Sequence, residues 1–208
     1  PVADFIITTP YQGCDSLTVQ TDTTINSTNG IYTWTVWNTG LNTLVDSIQT
    51  TGISTPEFIL TNSSHLYDST YVIQLMVGDP QGCDSTIVSD TITVWPNPKA
   101  YFTTSTSGTC PNGTITVNDS STTSILLDYT WTIVPSANID DEFADTTDIT
   151  FDNNTSGYDS IYNITLDIID DNGCVHNYTD SVAVHTDPIV LFSITSDTCG
   201  PATIIPTN

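Results

Sequence analysis

The residues with the most legible chemistry in this chain are its five cysteines, Cys14, Cys83, Cys110, Cys174 and Cys199. Four of them form two sets of one early and one late cysteine, Cys14 with Cys83 and Cys110 with Cys174, at nearly equal separations. No C-x-x-C spacing or histidine cluster accompanies them, so metal ligation is the weak reading and disulfide formation the strong one. Equivalent units are expected to pair alike. This predicts the bonds Cys14–Cys83 and Cys110–Cys174, each tying the start of a second strand to the turn after a long sixth strand. Paired cysteines place the chain in an oxidising setting, secreted to the extracellular space or the cell surface. Cys199 is left over and is expected to bond a cysteine outside this sequence.

Other chemistries find less support. His65, His176 and His185 lie far apart and do not recur, so each reads as a surface histidine. Serine is abundant, but no G-x-S-x-G elbow is present. Acid pairs such as Asp140-Asp141 and Asp170-Asp171 resemble glycosidase carboxylates only in type. That chemistry needs a deep cleft with sugar-stacking aromatics, whereas the Trp and Tyr residues here recur at core-like positions. No catalytic residue is assigned, and the chain is expected not to be an enzyme. Asp140, Asp141, Glu142, Asp145 and Asp148 crowd one stretch, and carboxylate oxygens suit Ca²⁺. There is no D-x-[DN]-x-[DN]-G loop, so a solvated acidic loop is the preferred reading and Ca²⁺ the alternative. No other cofactor is expected.

The charge balance excludes several partners. Lys99 is the one basic residue against 24 acidic ones, for a net charge of −23. Such a surface repels nucleic acid and anionic lipid. The acids are dispersed rather than run in a block, so they do not form an acidic tail. No apolar run is long enough for a spanning helix, and direct membrane insertion is not expected.

The elements that must position these residues are repeated. Pro1-Val-Ala-Asp-Phe5 returns as Pro98-Lys-Ala-Tyr-Phe102 and as Pro188-Ile-Val-Leu-Phe192. Tyr32-Thr-Trp34 returns as Tyr129-Thr-Trp131, and Gly82-Cys83 as Gly173-Cys174. A period of roughly 90–97 residues is the size of a small sandwich domain, not of a solenoid unit. Tyr71, Ile73, Leu75 and Val77 alternate with more polar neighbours, as do Tyr162, Ile164, Leu166 and Ile168, which is the period of a half-buried strand. Further strands are expected at 3–8, 16–21, 44–50, 57–61 and 86–94, and at 100–105, 114–118, 147–151 and 175–184. Turn signals such as Asp79-Pro-Gln-Gly82 and Asp171-Asn-Gly173 separate them. The reading is all-β: tandem β-sandwiches at 1–96 and 97–186, then the opening strands of a third, incomplete unit at 187–208. Trp95-Pro-Asn-Pro98 and His185-Thr-Asp-Pro188 form the junctions, stiffened by proline.

These residues together resemble the PKD domain, an immunoglobulin-like β-sandwich, in the tandem form found in Bacteroidota cell-surface proteins. The pattern is Pro1/Phe5, an early Cys14, Tyr32/Trp34, Tyr71-Val-Ile-Gln-Leu-Met-Val77, Asp79/Gly82-Cys83, and Val94-Trp-Pro96-Asn-Pro98, and it recurs through the second unit. One departure stands out. The family's W-D-F-G-D-G after the third-strand Trp is here Trp34-Thr-Val-Trp-Asn-Thr-Gly40 and Trp131-Thr-Ile-Val-Pro135, so the turn it builds must differ. The resemblance implies spacers, stalks, adhesins or filament subunits without catalysis of their own.

A second resemblance concerns Asp followed by Ser or Thr and then an aliphatic residue or Thr. About three such triplets are expected by chance at this composition. They occur far more often than that, and they look like acceptor sites of Bacteroidota periplasmic O-glycosylation. The implied sites are Ser16, Thr23, Ser47, Ser69, Ser85, Thr91, Thr146, Ser160 and Ser181. The competing reading is that Asp-Ser and Asp-Thr simply start strands well. N-x-S/T sequons such as Asn163-Ile-Thr165 also occur and matter only in a host with N-glycosylation.

The functional expectation is a non-catalytic structural segment of a secreted, glycosylated fibre or surface stalk. Its partners would be further copies or repeats of itself and covalent glycans. The alternatives are an adhesin that binds glycan or another cell surface, and an accessory domain of a secreted hydrolase. In residues 188–208, Phe192, Ile194, Ile204 and Ile205 would need cover from a continuing chain or a neighbouring copy.

Overall fold

The structure is a computed structural model that describes residues 1–23, 30–123, 127–152, 157–188 and 191. Every regular element among them is a strand, and the strands make four sheets facing each other in two pairs. The first pair opens with β1 (Ile6–Ile7), β3 (Ser16–Asp22) and β6 (Glu57–Thr61), in the order β1-β3-β6. Opposite lie β2 (Gln12–Cys14), β4 (Ile31–Asn38), β5 (Thr43–Thr51), β7 (Ser69–Gly78), β8 (Asp84–Val88) and β9 (Ile92–Trp95), in the order β2-β9-β7-β4-β5 with β8 also on β7.

The second pair repeats the plan. One sheet holds β10 (Phe102–Thr104), β12 (Thr114–Asp119), β14 (Asn138–Ile139) and β15 (Thr146–Thr150), in the order β10-β12-β15-β14. The other holds β11 (Gly108–Thr109), β13 (Leu127–Val134), β16 (Ser160–Asp170) and β17 (Val175–Val184), in the order β11-β17-β16-β13. By position these are the A-B-E-D and C-F-G sheets of an immunoglobulin-like sandwich. The fold is therefore all-β, built of immunoglobulin-like sandwiches.

Alternation decides which residues fill the cores. Tyr32, Trp34 and Val36 of β4 and Tyr71, Ile73, Leu75 and Val77 of β7 are buried, with Phe5, Val19, Phe58 and Leu60 opposite. The second core repeats this with Trp131, Tyr162, Ile164, Leu166 and Ile168 against Phe102, Ile115, Val117, Ile149 and Phe151. The two clusters share no residue. Phe5 meets Trp34 edge-on at 5.1 Å between centroids, and Phe102 meets Trp131 likewise at 5.2 Å. Burial of each such side chain contributes about 1.5–3 kcal/mol.

Both sandwiches carry the tyrosine corner that marks this fold. The Tyr71 hydroxyl donates to the carbonyl of Thr61, and the Tyr162 hydroxyl to that of Asp152. Each bond ties the start of the long central strand to the segment before it, Thr61 closing β6 and Asp152 lying just past β15.

The repeats differ in two places. In the first sandwich the last strand is broken into β8 and β9 at Ser89, whose backbone N–H bonds the Ile73 carbonyl while its hydroxyl accepts the Ile73 N–H. In the second, β17 runs unbroken along β16. The first sandwich also pairs the outer edge of β4 with β5, whereas the second leaves that edge of β13 to the 140–145 loop. That difference lies where the sequence departs from the W-D-F-G-D-G pattern. Most of 187–208, with Cys199, Phe192, Ile194, Ile204 and Ile205, lies outside the described residues.

Candidate functional site

The chemistry of the chain gathers where the first sandwich hands over to the second. The bonded cysteines are Cys14 and Cys174, with Cα atoms 5.7 Å apart and a sequence separation of 160. Cys83 and Cys110 are free and exposed. The expected bonds Cys14–Cys83 and Cys110–Cys174 are therefore not made. The reason is strand length. Cys14 pairs with Trp95 at the end of β9, and the adjoining Val94 pairs with Ser69 at the start of β7. Cys83 lies beyond the far end of β7, which is 10 residues long. At about 3.3 Å per residue the two cysteines stand roughly 30 Å apart, against the 4.4–6.8 Å between Cα atoms that a disulfide allows. The 11 residues of β16 separate Cys110 from Cys174 in the same way.

Each half of the observed bond sits in a built environment. The Cys174 turn is organised by Asp170, which is 6% exposed. Its Oδ1 accepts the N–H groups of Asn172 and Cys174, both at 2.9 Å. Its own backbone N–H bonds the Cys174 carbonyl at 3.0 Å, and Gly173 takes the left-handed φ of 81° that the turn needs. Cys174 itself is 1% exposed.

The Cys14 half rests on β2, which runs parallel to β9. The Asp15 N–H donates to the Trp95 carbonyl at 3.0 Å, and the Asn62 N–H to the Asp15 carbonyl at 2.7 Å. Buried Asn62 then locks the corner. Its Nδ2 donates to the carbonyls of Tyr67 and Val94, and its Oδ1 accepts the Ser64 N–H. The sequence marks Asn62 only by the sequon Asn62-Ser-Ser64, and its amide, committed to these bonds, is closed to glycan.

The peptide link crosses the same junction. Pro96 and Pro98 are buried. His65 Nδ1 lies 2.9 Å from the Asn97 carbonyl, and Lys99 bridges Thr122 through paired backbone bonds. The Ala100 N–H donates to His176 Nδ1 at 3.1 Å, two residues past Cys174. Two of the three histidines thus serve the linker. The third, His185, lies 2.9 Å from Asp159 at the other end of the second sandwich. Its hydrogen bond, with the Thr186 N–H, holds the Asp159 carboxyl below the ordinary range.

The acids of 140–148 turn to local work. Asp148 Oδ1 accepts the Thr116 hydroxyl at 2.6 Å, and Asp141 Oδ1 the Phe143 N–H at 3.0 Å. Among the described residues no three His, Cys, Asp or Glu side chains come together as a metal site.

The triplet hydroxyls divide. Ser16, Ser47, Thr91, Thr146 and Ser181 are exposed, and Ser69, Ser85 and Ser160 half-buried. Ser85 Oγ accepts the Ala3 N–H at 3.1 Å. The Thr23 hydroxyl oxygen is buried, which removes Thr23 from the acceptor sites of the folded chain. Ser16, Ser69, Thr146 and Ser160 each open a strand.

No family model matches the chain, and no curated protein does. Solved structures that superpose on it include murine CEACAM1b, at 12% identity and a TM-score of 0.33, covering 88% of this chain and 100% of that one. Three N-terminal domains of the bacteriophage RB49 outer capsid protein Hoc superpose at 11% identity and 0.31, covering 89% of this chain and 58% of that one. The FN1–FN3 domains of chicken CNTN1 give 11% and 0.31, covering 84% and 62%. Superpositions this loose leave the fold assignment to the strand order itself.

Proposed function

We propose that this chain is a non-catalytic spacer of a secreted fibre or surface stalk, built from tandem immunoglobulin-like sandwiches. The observation that carries the reading is the double connection at the junction. A short proline-bearing link and the Cys14–Cys174 bond both join the same two sandwiches. One peptide link alone lets sandwiches pivot, and a second covalent tie beside it restricts their relative orientation. Held orientation serves a part that carries length and load. The disulfide fits an oxidising, extracellular setting. The PKD resemblance and the exposed Asp-Ser and Asp-Thr hydroxyls support a place on a glycosylated bacterial cell surface.

Small-angle scattering of the oxidised chain tests the reading. A fibre spacer gives a maximum dimension near twice the length of one sandwich, unchanged over a range of salt. Sandwiches folded back on each other give a compact particle, and the reading then fails. Intact mass of native material tests the sugar separately: a mass equal to that of the bare polypeptide removes the glycan part.

A further inference from the structure

Cys83 and Cys110 are the repeat equivalents of the two bonded cysteines. The Cys83 turn copies the Cys174 turn bond for bond. Asp79 Oδ1 accepts the N–H groups of Gln81 and Cys83, the Asp79 N–H bonds the Cys83 carbonyl, and Gly82 takes φ 87°. Cys110 copies Cys14. It follows β11, which runs parallel to β17 as β2 runs parallel to β9. The difference is cover: Cys174 is buried at the junction, whereas Cys83 and Cys110 are exposed. They stand at opposite ends of the pair of sandwiches, Cys83 on the end of the first sandwich away from the junction and Cys110 on the far end of the second.

We propose that Cys83 and Cys110 are the two open halves of a head-to-tail disulfide between copies of this chain, the Cys110 end of one copy taking the Cys83 turn of the next as Cys14 takes Cys174. The inference rests on the fibre reading above and names the contact that would extend it. Complementary ends of this heterologous kind add units without closing. The bond needs an oxidant, here a disulfide such as oxidised glutathione. The Cys83 thiolate attacks it and releases one glutathione thiolate. The Cys110 thiolate then attacks the Cys83 sulfur and expels the second. Two thiols lose two protons and two electrons, and one glutathione disulfide becomes two thiols.

The test uses the full chain with Cys199→Ser as background, so that the third early cysteine does not compete. One variant adds Cys83→Ser and offers Cys110; the other adds Cys110→Ser and offers Cys83. Both substitutions replace exposed side chains and leave Cys14–Cys174 in place. In a glutathione redox buffer the mixture is expected to give a heterodimer, with a Cys83–Cys110 peptide after non-reducing digestion. It should exceed the homodimer from either variant alone by about tenfold or more. Homodimers forming as readily as the heterodimer, or both cysteines remaining fully alkylatable, overturns the proposal. A chain that is elongated in scattering yet shows either result retains the fibre reading and loses this contact. A compact chain loses the fibre reading itself.

Discussion

Cys14 and Cys174 are bonded across a junction that the chain also crosses by peptide, between Trp95 and Ala100. Each side of that bond is positioned by a buried polar residue, Asn62 on one side and Asp170 on the other. The chain-entropy account of a cross-link closing so long a loop gives about 5 kcal/mol against an unfolded chain. Each sandwich has its own core, so the bond acts chiefly on how the two sandwiches are held, not on whether either folds.

The Asp170 turn makes a first prediction. Asp170→Ala removes the acceptor of two backbone N–H groups inside a buried turn, a loss of about 1–3 kcal/mol. In a redox titration the Cys14–Cys174 bond of this variant is expected to reduce more easily than that of the parent. Asp170→Asn keeps an acceptor oxygen and should recover most of the difference. Asp79→Ala, in the matching turn at Cys83, should leave the Cys14–Cys174 titration unmoved. Equal effects from Asp79→Ala and Asp170→Ala would show that the turn does not position the bond.

The two core tryptophans differ in one hydrogen bond. Trp131 Nε1 donates to the Ala144 carbonyl at 2.8 Å, whereas Trp34 Nε1 is buried without a partner. Both substitutions to Phe lose similar volume. Trp131→Phe also strands a carbonyl, so it should cost about 1 kcal/mol more than Trp34→Phe in urea unfolding. A larger cost at Trp34 would contradict this assignment of partners.

Tyr129 makes a pH prediction. Burial first, then the nearby charges of Asp119 and Asp145 and a hydrogen bond to Asp119, push its hydroxyl above the usual 10.0. A raised folded-state value means stability that is fully present below the unfolded value and is lost as pH rises through the folded one. The second sandwich should therefore weaken in the alkaline range, above about pH 10. Tyr178 of the same sandwich is raised too, by burial first and then by Asp180 and Tyr101. Tyr129→Phe should therefore lessen that part of the pH profile, and Tyr129→Phe with Tyr178→Phe should flatten it, the neutral range staying nearly unchanged. A wild-type alkaline slope that is undiminished in Tyr129→Phe would refute the assignment.

Much of the fold is written in period-two alternation. The strands at 57–61 and 175–184 fall where the sequence places them, because each is bounded by turn residues and carries one apolar face. The short β2, β11 and β14 carry no such pattern. They exist because a neighbouring strand supplies their hydrogen bonds, which local sequence does not record. The break at Ser89 has no Gly or Pro to announce it. The cysteine pairing is hidden in the sequence for a different reason. A repeat has the same period whether equivalent cysteines bond within units or between neighbours. The strand length between Cys14 and Cys83 was the one available signal that they lie at opposite ends. The triplet at Thr23 is silent on whether its hydroxyl faces solvent, and here it does not.

Lys99 allows the most direct test of the inter-sandwich bond, because it is the chain's one trypsin site and lies in the junction. Blocking free thiols, loosening the fold in mild denaturant and cutting after Lys99 yields residues 1–99 and 100–208. With Cys14 bonded to Cys174 the halves should run as one species on a non-reducing gel and part only on reduction. The same should hold for Cys83→Ser/Cys110→Ser, and the tether should vanish in Cys174→Ser. Halves that separate without reductant in the parent chain, as bonds within each sandwich would require, contradict the account.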